Sequence, residues 1–261
     1  MAKKHSKTST KIYSDTIWGL VKNSFGIIFK NWRLFLPLFI IAILVSGLMI
    51  GISKDALVIL VSLVIIMLWL TTIFMTRRIL KGDKIKFRDG IFNAMAPFFS
   101  TLIIFVILMI QCLPIMLLVI AYSSAIETNL FGDFFAGSLF VLFALLMIAL
   151  SGYLLSGTLM ALIAVTAPGM YPLAALILTR EVMVGEKMKF ILRLFVLVLV
   201  LAAIIAVVTG VGVLIELWLN SMGQSSSAVV LGLYLSGCFG VIYAAVYLYL
   251  YYRKVLMMEE K

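Results

Sequence analysis

The chain has 261 residues, of which 64% are hydrophobic and only 12% are charged, and its formal net charge is +10. Soluble domains are about half apolar and about a quarter charged, so this composition excludes a water-soluble globular protein and a disordered chain. Two cysteines are too few for a disulfide-rich scaffold. The sequence therefore indicates an all-α integral membrane protein, and its long apolar runs are candidate membrane-spanning helices.

The N-terminal part predicts a polar tail, an interfacial helix and two spans. After the polar residues 1–13, apolar side chains recur at helical spacing on one face, which is typical of an amphipathic helix at a membrane surface. These side chains are Trp18, Val21, Phe25, Ile28, Phe29 and Trp32. Charge-free runs at 34–53 and 56–75 are each long enough to cross a bilayer and predict one transmembrane hairpin.

The middle of the chain has the same order of elements. A second amphipathic pattern precedes the spans, and Pro97 is expected to end its helix early. The pattern consists of Phe87, Ile91, Phe92, Met95, Phe98 and Phe99. The spans follow at 100–123, where Pro114 predicts a kink, and at 137–165.

The third part begins inside a charge-free stretch, 134–179, that is too long for one helix. Ala167, Pro168, Gly169 and Pro172 predict the end of one helix and the start of another. The helix after this break, 172–185, is interpreted as lying at or dipping into the cytoplasmic interface. Because it is apolar nearly all round, it is expected to be more deeply buried than the other two interfacial helices. The last spans are 190–219 and 228–252.

An interfacial helix followed by a transmembrane hairpin thus occurs three times, which predicts a six-span helical bundle built from three repeats. In this interpretation residues 1–261 form a single membrane domain. Its parts are a polar N-terminal tail (1–13), repeat one (14–75), repeat two (85–165), repeat three (170–252) and a cytoplasmic tail (253–261).

The basic residues predict the orientation. Every lysine and arginine except Lys54 lies on the side of the membrane that also holds both termini, and short basic loops are retained in the cytoplasm. We therefore expect a multi-pass protein of a bacterial plasma membrane with both termini cytoplasmic. No cleavable signal peptide is expected, because the first apolar run is as long as a true span. Tyrosines at positions 247, 249, 251 and 252 are interpreted as an aromatic belt at the cytoplasmic interface.

A resemblance to a known family rests on residues 166–193, which read TAPGMYPLAALILTREVMVGEKMKFILR. The pattern consists of Pro172, Ala175, Leu176, Thr179 and Gly185. It resembles the membrane-domain superfamily that includes the membrane portion of bacterial glycerophosphodiester phosphodiesterases and the YciC-like polytopic inner-membrane proteins. The resemblance implies a six-span layout. It also implies no hydrolytic activity, because in those phosphodiesterases catalysis belongs to a separate soluble barrel domain.

Residues that could carry chemistry are few. The one histidine, His5, lies in the polar tail, and the sequence has no metal-ligand cluster, phosphate loop or nucleophile motif, so no enzymatic activity, cofactor or metal is expected. Polar residues in or near spans remain as functional candidates, since burying them in lipid is costly. They are Gln111, Arg180, Glu181 and Glu216. The favoured interpretations are structural: Glu216 reaching water at the interface, Arg180 and Glu181 in contacts within the helix or with headgroups, and Gln111 in a hydrogen bond between helices.

Small residues predict close helix packing. Gly232, Ser236, Gly240 and Ala244 recur at intervals of four in the last span, and the preceding span offers Ala202, Ala206 and Gly210. Packing within the bundle and homodimerisation both fit such faces.

These observations lead to a hypothesis of function. The chain is interpreted as a non-enzymatic membrane protein that acts in membrane organisation or as a partner of other membrane components. Basic residues at membrane ends favour anionic lipid headgroups as partners over nucleic acid. A small transporter or channel is the alternative, although it would need broken helices or polar groups at the bilayer midplane. An intramembrane enzyme acting on lipid has the least support.

Overall fold

A computed structural model describes residues 16–47, 54–83, 86–127, 134–221 and 228–259, and within these ranges the only regular secondary structure is helix. The helices are α1 (Ile17–Lys30), α2 (Trp32–Gly47), α3 (Lys54–Lys81), α4 (Phe87–Ala94), α5 (Phe98–Gln111), α6 (Leu113–Glu127), α7 (Phe134–Ala164), α8 (Pro172–Val182), α9 (Lys187–Ser221) and α10 (Ala228–Glu259).

Among the described residues, five helical stretches are long and apolar enough to cross a membrane, so the all-helical prediction is confirmed and a membrane bundle is compatible with it. They are Leu60–Lys81, Phe98–Glu127, Phe135–Ala164, Lys187–Ser221 and Ala228–Leu256. A sixth exists if the bent pair of α1 and α2 is counted as one span. The first predicted span, 34–53, coincides with α2 as far as Gly47, and its remainder lies outside the described residues.

Local sequence signals determine most helix ends. Thr16 caps α1, because its hydroxyl accepts a hydrogen bond from the Gly19 backbone N–H at 3.3 Å. Pro114 lies just inside α6, after a one-residue interruption of the helix at Cys112, close to where the kink was predicted. Pro172 is the first residue of α8, and Gly169, at φ +76°, lies in the turn before it, so the predicted break is confirmed.

Two helices continue beyond their predicted ends. The second span was predicted to end at residue 75, but α3 extends to Lys81, and the last span was predicted to end at 252, but α10 extends to Glu259. The added residues include Arg77, Arg78 and Arg253. Arginine and lysine are good helix formers. A charged residue can therefore mark the end of the apolar run while the helix continues through it.

The chain divides into two compact units, and the first contains residues 1–98 and 193–261. Helix α10 is central in this unit, because α1, α2 and α3 all pack against it. Its Tyr243 ring lies 4.6 Å from the ring of Phe25 on α1, and the Tyr234 hydroxyl donates a 3.0 Å hydrogen bond to the Ala42 carbonyl on α2. Every residue from 245 to 251 is buried, which is more than one helical turn, so this part of α10 is enclosed on all sides.

Glycines bring α9 and α10 close together. A Cβ atom on Gly212 would lie 3.0 Å from the Ala228 carbonyl oxygen, and one on Gly232 would lie 3.2 Å from that of Val208. A Cβ atom on Gly240 would lie 3.4 Å from Leu201 Cδ2. The contact therefore uses the predicted α10 stripe, in which Ser236 is also buried.

The matching prediction for α9 is wrong. Ala202, Ala206 and Gly210 are exposed, and a Cβ atom on Gly210 would meet nothing within 4 Å. Gly212 faces α10 instead. Two residues along a helix correspond to about 200° of rotation, so the true contact lies nearly on the opposite side of α9 from the predicted stripe.

The second unit contains residues 99–192. In it α6 and α8 each pack against α7. The burial of α7 changes along its length: of residues 135–155 only Ser151 is buried, whereas every residue from 160 to 165 is. The first part of α7 is therefore outward-facing and its last part is enclosed by protein.

The three short helices each bury one face and expose large apolar side chains on another. Leu20, Val21, Ser24 and Ile28 are buried on α1, Gly90 and Ala94 on α4, and Ala175, Thr179 and Val182 on α8. The large outward side chains are Trp18, Phe29, Phe92, Leu173 and Ile177. The expectation that α8 is more deeply buried than α1 and α4 is wrong: α8 buries only Ala175, Thr179 and Val182, while Leu173 and Ile177 remain exposed.

Candidate functional site

A cluster of arginine and tyrosine side chains lies inside the first unit, around the C-terminal half of α10. The Tyr247 hydroxyl donates a hydrogen bond to the Arg193 carbonyl at 3.2 Å, and the Arg193 guanidinium carbon lies 4.6 Å from the Tyr251 ring centroid. On another side of α10, the Arg77 guanidinium carbon lies 5.9 Å from the Tyr249 ring centroid. Guanidinium groups are attracted to the faces of aromatic rings, so these contacts tie α3 and α9 to α10.

The aromatic-belt prediction is therefore wrong for three of its tyrosines. Tyr247, Tyr249 and Tyr251 are buried in protein and do not face a membrane interface. Tyr252 is half-buried. The physical reason is the central position of α10, whose neighbours cover the side that would face lipid if the helix lay at the edge of the bundle.

Buried hydroxyl groups also line α3. Thr71, Thr72 and Thr76 are buried, and the Thr76 hydroxyl donates a 2.7 Å hydrogen bond to the Thr72 carbonyl. Within the described part of the chain, Thr72 Oγ1, Trp69 Nε1 and the Tyr243 hydroxyl are buried without a hydrogen-bond partner. Burying a polar group without a hydrogen-bond partner raises the free energy of the folded protein. This part of the first unit is therefore a polar region that the sequence pattern did not indicate.

Gln111 has a defined partner in the second unit. Its side-chain oxygen accepts a hydrogen bond from the Thr158 hydroxyl on α7 at 2.6 Å. Hydrogen bonds between transmembrane helices contribute about 0.6–2 kcal/mol each. Gln111 therefore joins the end of α5 to α7.

Charged side chains gather around the start of α9 in the second unit. Lys189 Nζ lies 2.6 Å from Glu186 Oε1, and Lys187 Nζ lies 3.8 Å from the Tyr153 ring centroid on α7. Arg180, which is exposed, also acts electrostatically on Tyr153. Glu181 is exposed as well. The sequence singled out Arg180 and Glu181 but neither Tyr153 nor Lys187, whose contact accompanies the packing of α8 against α7.

Glu216 belongs to the first unit, near the end of α9. It is half-exposed and lines an open groove with Asn220, Val213, Leu217 and Val229. Neither of the two ion pairs among the described residues, Arg78 with Asp83 and Lys189 with Glu186, includes it. Of the four predicted polar residues, Glu216 lies in the first unit, and Gln111, Arg180 and Glu181 lie in the second.

The described residues contain no group of three or more His, Cys, Asp or Glu side chains that could hold a metal ion. His5 lies outside the described residues. Comparison with protein-family models, with curated proteins and with solved structures finds no match. The geometry of the chain itself is therefore the basis for inferring its function.

Proposed function

We propose that this chain is a non-enzymatic protein of a bacterial plasma membrane that acts in membrane organisation or as a partner of other membrane components. The observation that carries the proposal is the outward-facing surface of its long helices. In three of the five candidate spans, Phe98–Glu127, Phe135–Ala164 and Lys187–Ser221, only 6% of the most apolar stretch is buried within the chain. The corresponding values for Leu60–Lys81 and Ala228–Leu256 are 44% and 39%. Surfaces this open face lipid or another membrane protein rather than enclosing a reaction site.

The order of the helices supports the proposed three-repeat plan. Short helices α4 and α8 each precede a pair of long stretches, the α5–α6 stretch with α7 and α9 with α10. At the other end of the order α1 precedes α2 and α3, of which only α3 is by itself long enough to cross a membrane. Six spans with both termini in the cytoplasm would follow. The resemblance to the membrane portion of glycerophosphodiester phosphodiesterases is part of the same proposal, and it is consistent with a role that needs no catalytic residues.

Cysteine labelling tests the orientation. In a chain carrying Cys112→Ser and Cys238→Ser, we expect Ser221→Cys to react with a membrane-impermeant maleimide applied to intact cells. Lys81→Cys should react only after the membrane is permeabilised. Both positions are exposed at helix ends, so they are matched in accessibility and differ only in the side of the membrane. The reverse pattern would contradict the proposed topology.

A small transporter or channel is the second candidate, and the buried threonines of α3 favour it. Polar groups inside spans and interrupted helices are typical of transport sites, and the chain has Thr71 and Thr72 in α3 and a helix break at Cys112.

A flux assay distinguishes the two candidates. We expect purified protein in sealed liposomes to move K⁺, Na⁺ and protons no faster than empty liposomes, because the proposed function requires no water-filled path. Flux that Thr72→Val abolishes, and that the Thr209→Val control on an exposed part of α9 leaves intact, would make transport the better description.

A further inference from the structure

The charged cluster at the start of α9 indicates where α7 leaves the membrane. Lys187 lies against Tyr153, and Arg180 is close enough to act electrostatically on it; Tyr153 is 11 residues before the end of α7 at Ala164. At 1.5 Å per residue, a bilayer boundary at Ala164 would put these charges about 16 Å deep in hydrocarbon, which is strongly unfavourable. The stretch from Phe134 to Tyr153 is by itself about 30 Å long, which matches the hydrocarbon thickness. The boundary therefore lies near Tyr153, where α7 also changes from outward-facing to enclosed.

An exposed apolar stripe runs from Tyr153 into the membrane along one face of α7. It consists of Leu150, Leu146, Leu142 and Leu139, spaced three or four residues apart and all exposed. Residues at this spacing lie above one another on a helix, and the four leucines span about 17 Å. It therefore extends through one leaflet, directly below the charged cluster.

The cations at the head of this stripe are not neutralised by ion pairs within the described residues. Glu186 is paired with Lys189, which leaves Lys187 against the Tyr153 ring and Arg180 exposed on α8. Glu181 follows Arg180 on α8, but adjacent residues on a helix point about 100° apart. Tyr153 is itself 54% exposed, and a tyrosine hydroxyl that accepts a hydrogen bond from a lysine can still donate one.

We propose that Lys187, Arg180 and Tyr153 bind the phosphate of an anionic phospholipid whose acyl chain lies along the leucine stripe of α7. The inference rests on the proposed function and names the ligand class that the membrane protein binds. Charge complementarity selects the occupant: the cations match a phosphodiester, and the stripe below them matches a hydrocarbon chain. A free phosphate would match only the upper part of this arrangement, so the two features together specify a lipid.

Native mass spectrometry of the purified full chain in detergent tests the site. Phosphatidylglycerol is titrated against phosphatidylcholine with the same acyl chains, and glycerol phosphate and inorganic phosphate serve as ligands without chains. We expect one phosphatidylglycerol to bind in preference to phosphatidylcholine. Lys187→Gln should weaken this binding about fivefold and Arg180→Gln by a similar factor, since each well-placed cation contributes about this much attraction. The double variant should weaken it roughly 30-fold.

Lys189→Gln is the matched control. It removes the same charge two residues along the chain from Lys187, but from a lysine that is already paired with Glu186. It should change phosphatidylglycerol binding less than twofold. Equal weakening by Lys189→Gln would overturn the proposal by showing that only net charge matters. Competition by inorganic phosphate or glycerol phosphate at the affinity of the lipid would overturn it in favour of a soluble anion.

The outcome is separable from that of the proposed function. A chain that has the expected topology and moves no ions, yet binds phosphatidylglycerol no better than phosphatidylcholine, overturns this site and leaves the proposed function in place. A chain that binds the lipid as expected but transports ions overturns the proposed function and leaves the site.

Discussion

Replacing Tyr247 with alanine is expected to lower the free energy of unfolding by about 3–5 kcal/mol, the range for truncating a large buried aromatic side chain. Only 1% of Tyr247 is exposed, and its hydroxyl donates to the Arg193 carbonyl 54 residues away. The substitution would leave a cavity between α9 and α10 and remove the hydrogen bond to the Arg193 carbonyl. Reversible unfolding in mixed detergent and SDS micelles, followed by circular dichroism, measures the change.

Two variants control this experiment. Tyr171→Ala removes a tyrosine that is 76% exposed and should cost no more than about 0.5 kcal/mol. Tyr247→Phe keeps the ring and removes only the hydrogen bond, for which we expect about 1 kcal/mol. If Tyr247→Ala were no more destabilising than Tyr171→Ala, Tyr247 would face lipid, as the aromatic-belt interpretation of the sequence held.

Replacing Ile163 with alanine is expected to destabilise the chain by about 2–5 kcal/mol, whereas Leu146→Ala on the same helix should cost less than about 1 kcal/mol. Ile163 is fully buried and its truncation leaves a cavity in protein. Leu146 is 59% exposed, and fluid lipid can fill the space that its truncation opens. The same unfolding assay, carried out on both variants, compares the two halves of α7 directly.

The pair tests whether α7 is one uniform span or a lipid-facing part followed by an enclosed part. Similar costs for the two substitutions would contradict the division near Tyr153. An oxygen-accessibility measurement by electron paramagnetic resonance, on spin-labelled Leu146→Cys in the chain lacking Cys112 and Cys238, provides an independent check. High oxygen access is expected there, since oxygen concentrates in the hydrocarbon that Leu146 faces.

Helix positions were readily predicted, because their signals are local. Pro114 and Pro172 cannot take part in the backbone hydrogen bonds of a preceding helix, and both occur just inside a new helix. The amphipathic pattern around Trp18 also coincides with a helix, α1. The side of each helix that packs was harder to predict: Gly210 was chosen on α9, but Gly212 is the residue that faces α10.

The candidate site was predictable only in part. Arg180 was noticeable because it is a charged residue in an apolar stretch. Tyr153 lies 27 positions earlier in an apolar run, and nothing in the sequence distinguishes it from other tyrosines near a membrane interface. Nothing in the spacing of Lys187 indicates that it contacts Tyr153. That contact accompanies the packing of α8 against α7, which is a tertiary property.

The amino-acid sequence by itself determined that the chain is helical, which stretches are apolar enough to cross a membrane, and where prolines interrupt them. Only the tertiary structure decided which apolar surfaces are enclosed by protein, including the tyrosines of α10 and the last part of α7. The physical reason is that lipid tails and protein interiors are similarly apolar, so hydropathy separates both from water but does not separate one from the other. That distinction depends on which helices are neighbours, and contacts between residues distant in the chain establish it.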